Sequence, residues 1–92
     1  PTVVAGAQVV PMDGDLREAM RAPAGVLVVR VLPGTPAAEA GLRSGDVITA
    51  AGSDGIATPG ALHRALLRRL DERSVPLRVE RRGRAKELIL RW

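Results

Sequence analysis

Apolar and polar residues follow one another along this chain in short runs with sharp boundaries. Thr2–Val10 (TVVAGAQVV) is rich in β-branched residues and broken by Gly6, which predicts a strand with a loop at its start. In the next stretch, MDGDLREAMRA, Asp13 or Asp15 can cap a short amphipathic helix. Leu16, Ala19 and Met20 recur there at i, i+3 and i+4, and Pro23 and Gly25 end it. GVLVVRVL is so evenly apolar that it predicts a strand covered on both faces, Arg30 excepted.

The middle of the chain is set by its punctuation. Pro33-Gly34 predicts a tight turn, Thr35 a cap, and Pro36 the first position of a helix, where a missing N–H is not needed. Gly41 supplies the left-handed residue that ends this helix after about one and a half turns. LRSGD reads as a turn, VITAA as a short strand and GSDG as another turn. Thr58-Pro59 repeats the Thr-Pro start. Leu62, Ala65, Leu66 and Leu70 mark the buried stripe of a longer helix that ends near Asp71. The last segment, PLRVERRGRAKELILRW, predicts a hairpin about Arg82-Gly83. Leu77 and Val79 alternate with charges on one arm, and Leu88 and Leu90 on the other. Strands without long crossover helices favour an antiparallel sheet, curled into a small, partly open barrel with helices at its openings.

Composition narrows this picture. The 92 residues suit one domain, 1–92, and 46% of them are apolar, yet Phe and Tyr are absent and the single Trp is the last residue. The core must therefore be aliphatic. No cysteine is present, so neither disulfides nor thiolate metal sites can hold the fold together. The net charge is +4, and Arg78, Arg81, Arg82, Arg84 and Lys86 crowd one segment. No aromatic residues interleave with them to stack bases, so the segment reads as a solvated arginine-rich hairpin and no nucleic-acid partner is expected. No apolar run reaches the roughly 18–20 residues of a membrane span, so no direct membrane insertion is expected. The chain reads as a domain of a longer protein.

Against that background, one spaced pattern stands out: Gly25-Val26-Leu27-Val28, then Val31-Leu32-Pro33-Gly34-Thr35-Pro36-Ala37-Ala38, then Ala40-Gly41-Leu42 and Ser44-Gly45-Asp46-Val47-Ile48. It resembles the PDZ domain family, in the bacterial arrangement of the HtrA (Deg) envelope serine proteases. The resemblance implies an α+β, mainly β fold: a partly open antiparallel barrel of five to six strands capped by two to three helices.

It also implies the function. PDZ domains bind peptide C-termini by adding a strand to a sheet edge, with the terminal carboxylate held by backbone N–H groups. The carboxylate loop of the family matches Val4, Ala5, Gly6 and Ala7, with smaller apolar residues than usual at Ala5 and Ala7. The peptide is expected to add to Ala7–Val10 as a free edge, in a groove formed by Gln8, Val9 and Val10 with Pro59, His63, Leu66, Leu67 and Leu70. Gly6 is expected to lie in a loop outside the core, so that Gly6→Val would spare the fold. The terminal-residue pocket is expected to be apolar.

Partners would be peptide or protein C-termini with a hydrophobic last residue, and the protease domain of the same chain, in the periplasm or another extracytoplasmic compartment. No cofactor or metal is implied. Ser44, Ser53 and Ser74 with His63 form no catalytic motif, so the chain itself is read as non-catalytic. The alternative is a docking or assembly module in a secretion system or another envelope protease.

Overall fold

The structure, a computed structural model, describes residues 2–92. Its strands are β1 (Thr2–Val4), β2 (Ala7–Pro11), β3 (Val26–Val31), β4 (Val47–Ala51), β5 (Asp54–Gly55), β6 (Ser74–Arg81) and β7 (Arg84–Arg91). They form one antiparallel, unclosed sheet in the order β1-β2-β3-β4-β6-β7, with β5 on β4. The helices are α1 (Gly14–Met20), α2 (Pro36–Ala40) and α3 (Pro59–Leu67). The count of seven strands exceeds the five to six expected. Thr2–Val10 splits at Ala5-Gly6 into two paired strands, and Asp54–Gly55 adds a short one.

Alternation along the strands builds the core from one face of the sheet. Ala7 and Val9, Val26 and Val28, Val75, Leu77 and Val79, and Leu90 are all buried there, and Leu62 and Ala65 of α3 close over them. Irregularities in register at Gln8/Val9 and at Ile48/Ala50 bend the sheet. The first of these skips Val29, which stands 41% exposed and corrects the expectation that β3 is covered on both faces.

Two helices also depart from their patterns. Asp13 caps α1 by accepting from the Leu16 N–H at 2.7 Å, but no residue of α1 is buried, and Ala19 and Met20 face solvent. Met12, just before the helix, takes the buried position instead. Helix α3 stops at Leu67 and the chain turns through residues 68–73, so Leu70 is 57% exposed rather than part of a buried stripe.

Asp46 is the one buried charged residue among the described residues. Its Oδ1 accepts from Arg81 Nε at 2.7 Å, and its Oδ2 accepts from Arg81 Nη2 at 2.8 Å and from the Arg43 N–H at 2.9 Å. Arg81 Nη2 also donates to the Gly41 carbonyl at 2.8 Å, at the left-handed cap of α2. The hydrogen bond to Asp46 raises the Arg81 pKa against the opposing effect of burial, so the guanidinium stays charged. At its other end, α2 is capped by Thr35, whose Oγ1 accepts from the Ala38 N–H at 3.3 Å and donates to the Leu32 carbonyl at 2.7 Å.

The Ala5-Gly6 turn sits on this end of α2. The Ala5 carbonyl accepts from the Ala37 N–H at 3.0 Å, and the Gly6 carbonyl from the Leu32 N–H at 2.9 Å. Gly6 has φ +93°, and a Cβ there would collide with the Thr35 side chain. Gly6 lies in a turn, as expected, but its contact with Thr35 corrects the expectation that Gly6→Val would spare the fold.

Two stability measurements follow from this packing. Arg81→Met leaves the Asp46 carboxylate buried without its partner and is expected to cost about 3–5 kcal/mol in denaturant unfolding. Arg82→Met, at an exposed neighbour, should stay within about 0.5 kcal/mol of wild type; equal losses in the two would remove the ion pair's structural role. Gly6→Val combines a left-handed backbone with the clash at Thr35 and is expected to lose about 2–4 kcal/mol. An unchanged midpoint would show that the turn can move off α2 freely.

Candidate functional site: an apolar cleft between a hairpin and a helix

The β1–β2 hairpin turns on two residues in left-handed backbone, Ala5 at φ 51° and Gly6 at φ 93°, the geometry whose twist suits a two-residue hairpin. Its register is Val4 opposite Ala7, Val3 opposite Gln8 and Thr2 opposite Val9. Strand β2 is also paired with β3, through Ala7 opposite Val31 and Gln8 opposite Arg30. Ala7–Val10 is thus an interior strand rather than the expected free edge. The free edge on this side of the sheet is Thr2–Val4.

Helix α3 stands beside the hairpin. Thr58 Oγ1 accepts from the Ala61 N–H at 3.1 Å and Pro59 occupies the first turn, where its ring fits. Leu62 and Ala65 point into the core. The adjoining face of the helix leaves Leu66 half-buried and Leu67 and His63 exposed.

Between the two elements lies a cleft of about 320 Å³, lined by Val3, Val4 and Ala5 on one side and by His63, Leu66, Leu67 and Leu70 on the other, with Pro36 and Trp92 completing it. Trp92 is pinned in place: its N–H donates to the Arg73 carbonyl at 2.9 Å, and its own carbonyl accepts from Arg73 Nε at 2.9 Å.

Of the positions expected to bind, the cleft brings together Val4, Ala5, His63, Leu66, Leu67 and Leu70. It does not include Gly6, Ala7, Gln8, Val9, Val10 or Pro59. Ala7 and Val9 are buried in the core, and Gln8 and Val10 alternate onto the opposite face of the sheet. Val3, Pro36 and Trp92 were not expected. Trp92 carried a signal, as the only aromatic residue in a chain with an aliphatic core. Pro36 carried none, because it reaches the cleft only through the packing of α2 under the Ala5-Gly6 turn.

Among the described residues the lining holds no Asp, Glu, Lys or Arg, and His63 is its only titratable side chain. The charges gather in other hollows, one rimmed by Arg43, Asp46, Arg81 and Arg82 and another by Asp54, Arg64 and Arg68. Ser44 and Ser53 line those hollows and stand apart from His63. No group of three or more His, Cys, Asp or Glu side chains among the described residues could hold a metal ion. Chemically the cleft suits a non-covalent, mainly apolar ligand next to a sheet edge.

Comparison with known proteins places this architecture. The chain is 36% identical over 67 residues to a probable periplasmic serine endoprotease, DegP-like, of Halomonas elongata, a match that covers 73% of this chain and 14% of that protein. It is 47% identical over 46 residues to the putative serine protease HhoB of Synechocystis sp., covering 50% of this chain and 11% of the relative. The matches thus span only a small part of each relative's length.

Among solved structures, the HtrA3 PDZ domain bound to the phage-derived ligand FGRWV aligns with a TM-score of 0.83 at 20% identity, covering 98% of this chain and 84% of that one. The HtrA-type protease AlgW with a decapeptide aligns with a TM-score of 0.72 at 27% identity, covering 96% and 28%. The PDZ domain family profile matches residues 4–91. With that match spanning nearly its whole length, the chain belongs to the PDZ domain family.

Proposed function

We propose that this domain binds C-terminal or exposed apolar peptide segments by strand addition, as the non-catalytic substrate-binding or regulatory domain of an HtrA-like serine protease. The observation that carries this reading is the uncharged apolar cleft between a sheet edge and α3, a combination that offers both a backbone template and side-chain pockets. Leu67 and Leu70 are half or more exposed on its wall, where they add little to the core but much to a contact surface. The HtrA3 PDZ domain carries a peptide that ends in Trp-Val, and AlgW a decapeptide. A ligand of that kind, with an apolar last residue, suits a cleft walled by Leu66 and Leu67.

The wider role follows from the relatives. A protease domain in the same protein would supply the catalysis that this domain lacks, and peptide occupancy here would present substrate to it or relay a signal. The DegP-like relative is named as periplasmic, which supports an extracytoplasmic location. No helix among the described residues is long and apolar enough to cross a membrane. Each backbone hydrogen bond adds on the order of 1 kcal/mol net, so a handful, less ordering costs, gives affinities in about the micromolar range.

Trp92 is a built-in reporter, being the only Trp in a chain without Tyr. Titration with a peptide ending in Val should change its fluorescence with a roughly micromolar midpoint. Leu67→Asp should weaken that binding about tenfold or more by placing a charge in the apolar wall, with the fold intact because Leu67 is exposed. Full affinity in Leu67→Asp, or salt-sensitive binding of polyanions in place of peptide, would move the site elsewhere. Amidating the peptide's end should weaken binding if backbone N–H groups hold the carboxylate. Equal affinity for acid and amide would mean that the ligand is an internal segment, as a docking module would require.

A further inference from the structure

We infer that β1 is an internal stand-in for the peptide: Thr2–Val4 occupies the strand-addition side of β2, and ligand binding requires its release. This inference rests on the peptide-binding reading above and concerns how that same site is regulated. A strand has only two hydrogen-bonding sides. One side of β2 is taken by β3 and the other by β1, so a peptide that adds to β2 must take the place of β1. Strand β1 runs antiparallel to β2 and ends at the Ala5-Gly6 turn. A peptide with its C-terminus at that loop would run the same way.

The side chains fit the same role. Val4, opposite Ala7, is only 5% exposed and packs in the core cluster with Leu66 against it, as an apolar terminal residue would. The pair that closes a two-residue hairpin is of the hydrogen-bonded kind, so Val4 engages the backbone groups of Ala7 that an incoming peptide needs.

Only one side chain of β1, that of Val4, is held in the core. The strand has three residues, two of them exposed, and its turn keeps the non-glycine Ala5 in left-handed backbone. The domain is therefore a two-state device, closed by its own strand and opened by anything that draws residues 2–4 away. Apparent affinity is reduced by the fraction of molecules that are closed.

The chain has no cysteine, so a reversible lock can be built cleanly. Val3 and Gln8 face each other as a non-hydrogen-bonded pair, the spacing that suits a cross-strand disulfide. The probe is a synthetic peptide ending in Thr-Val-Val with a free carboxylate, followed by Trp92 fluorescence and by calorimetry. The oxidised double variant V3C/Q8C should lose binding about tenfold or more, with recovery on reduction. Val4→Ser, which weakens the closed state, should tighten binding about three- to tenfold.

Oxidised and reduced forms that bind equally would overturn the inference, because the peptide would then be adding outside β1 rather than replacing it. Affinity unchanged or weakened in Val4→Ser, with its fold intact by circular dichroism, would overturn it as well, since Val4 would be part of the receptor and not of the occupant. The peptide-binding reading fails in a different way. No binding by wild type, by the reduced form or by Val4→Ser would remove that reading, and the inference with it.

Discussion

Asp46 has no exposed surface, and both of its carboxylate oxygens are taken up by the fork of Arg81. Burying a carboxylate is expensive, and two short, charge-assisted bonds with a third from the Arg43 N–H are what offset it. The constraint reaches far through the backbone. The Asp46 carbonyl accepts from the Val28 N–H at 2.8 Å, which fixes the turn before β4 on β3, while Arg81 ties the end of β6 to the Gly41 carbonyl at the close of α2. A helix of five residues is too short to hold itself, so it is held from both ends. Arg81 acts at one end. Thr35, Leu32 and the Ala5-Gly6 turn meet at the other.

The position of the cleft depends on that second anchor. Gly6 can sit against Thr35 only because it lacks a Cβ, and this contact sets where the β1–β2 hairpin leaves α2 and hence how far it stands from α3. Pro36, at the start of α2, then lines the cleft floor beside the hairpin. A continuous run of contacts joins the charge pair to the apolar site: Asp46 to Arg81, to Gly41, along α2, to Thr35 and the turn. The core has no Phe or Tyr, and these polar contacts at element ends join elements that the aliphatic core packs together.

The same region separates stability from function. Leu62 and Ala65 of α3 are committed to the core, whereas Leu67 and Leu70 are left on the surface. Strand β1 lies between these roles: Val4 is part of the core, Val3 is half exposed, and both line the cleft. A three-residue edge strand with one buried side chain is the kind of element from which moving parts are drawn.

The features legible in the sequence were those governed by one or two residues acting on their own backbone. Pro33-Gly34, the Thr35 and Thr58 caps, the left-handed Gly41 and the Arg82-Gly83 hairpin appear as read, because each follows from a local φ preference or a capping side chain. The PDZ pattern itself is made of such residues, which is why the family could be recognised from 24 residues of punctuation and strand. Burial was less legible, since it depends on what stands opposite. The stripe of α1 found no partner, Val29 was skipped by a shift in register, and Leu70 fell beyond the last turn of α3.

The site divides in the same way. His63, Leu66 and Leu67 followed from helical spacing, but the pairing of β2 could not be read from its own residues. A β-branched strand looks the same at an edge or inside a sheet, and only the return of Thr2–Val4 across the Ala5-Gly6 turn decided which it would be.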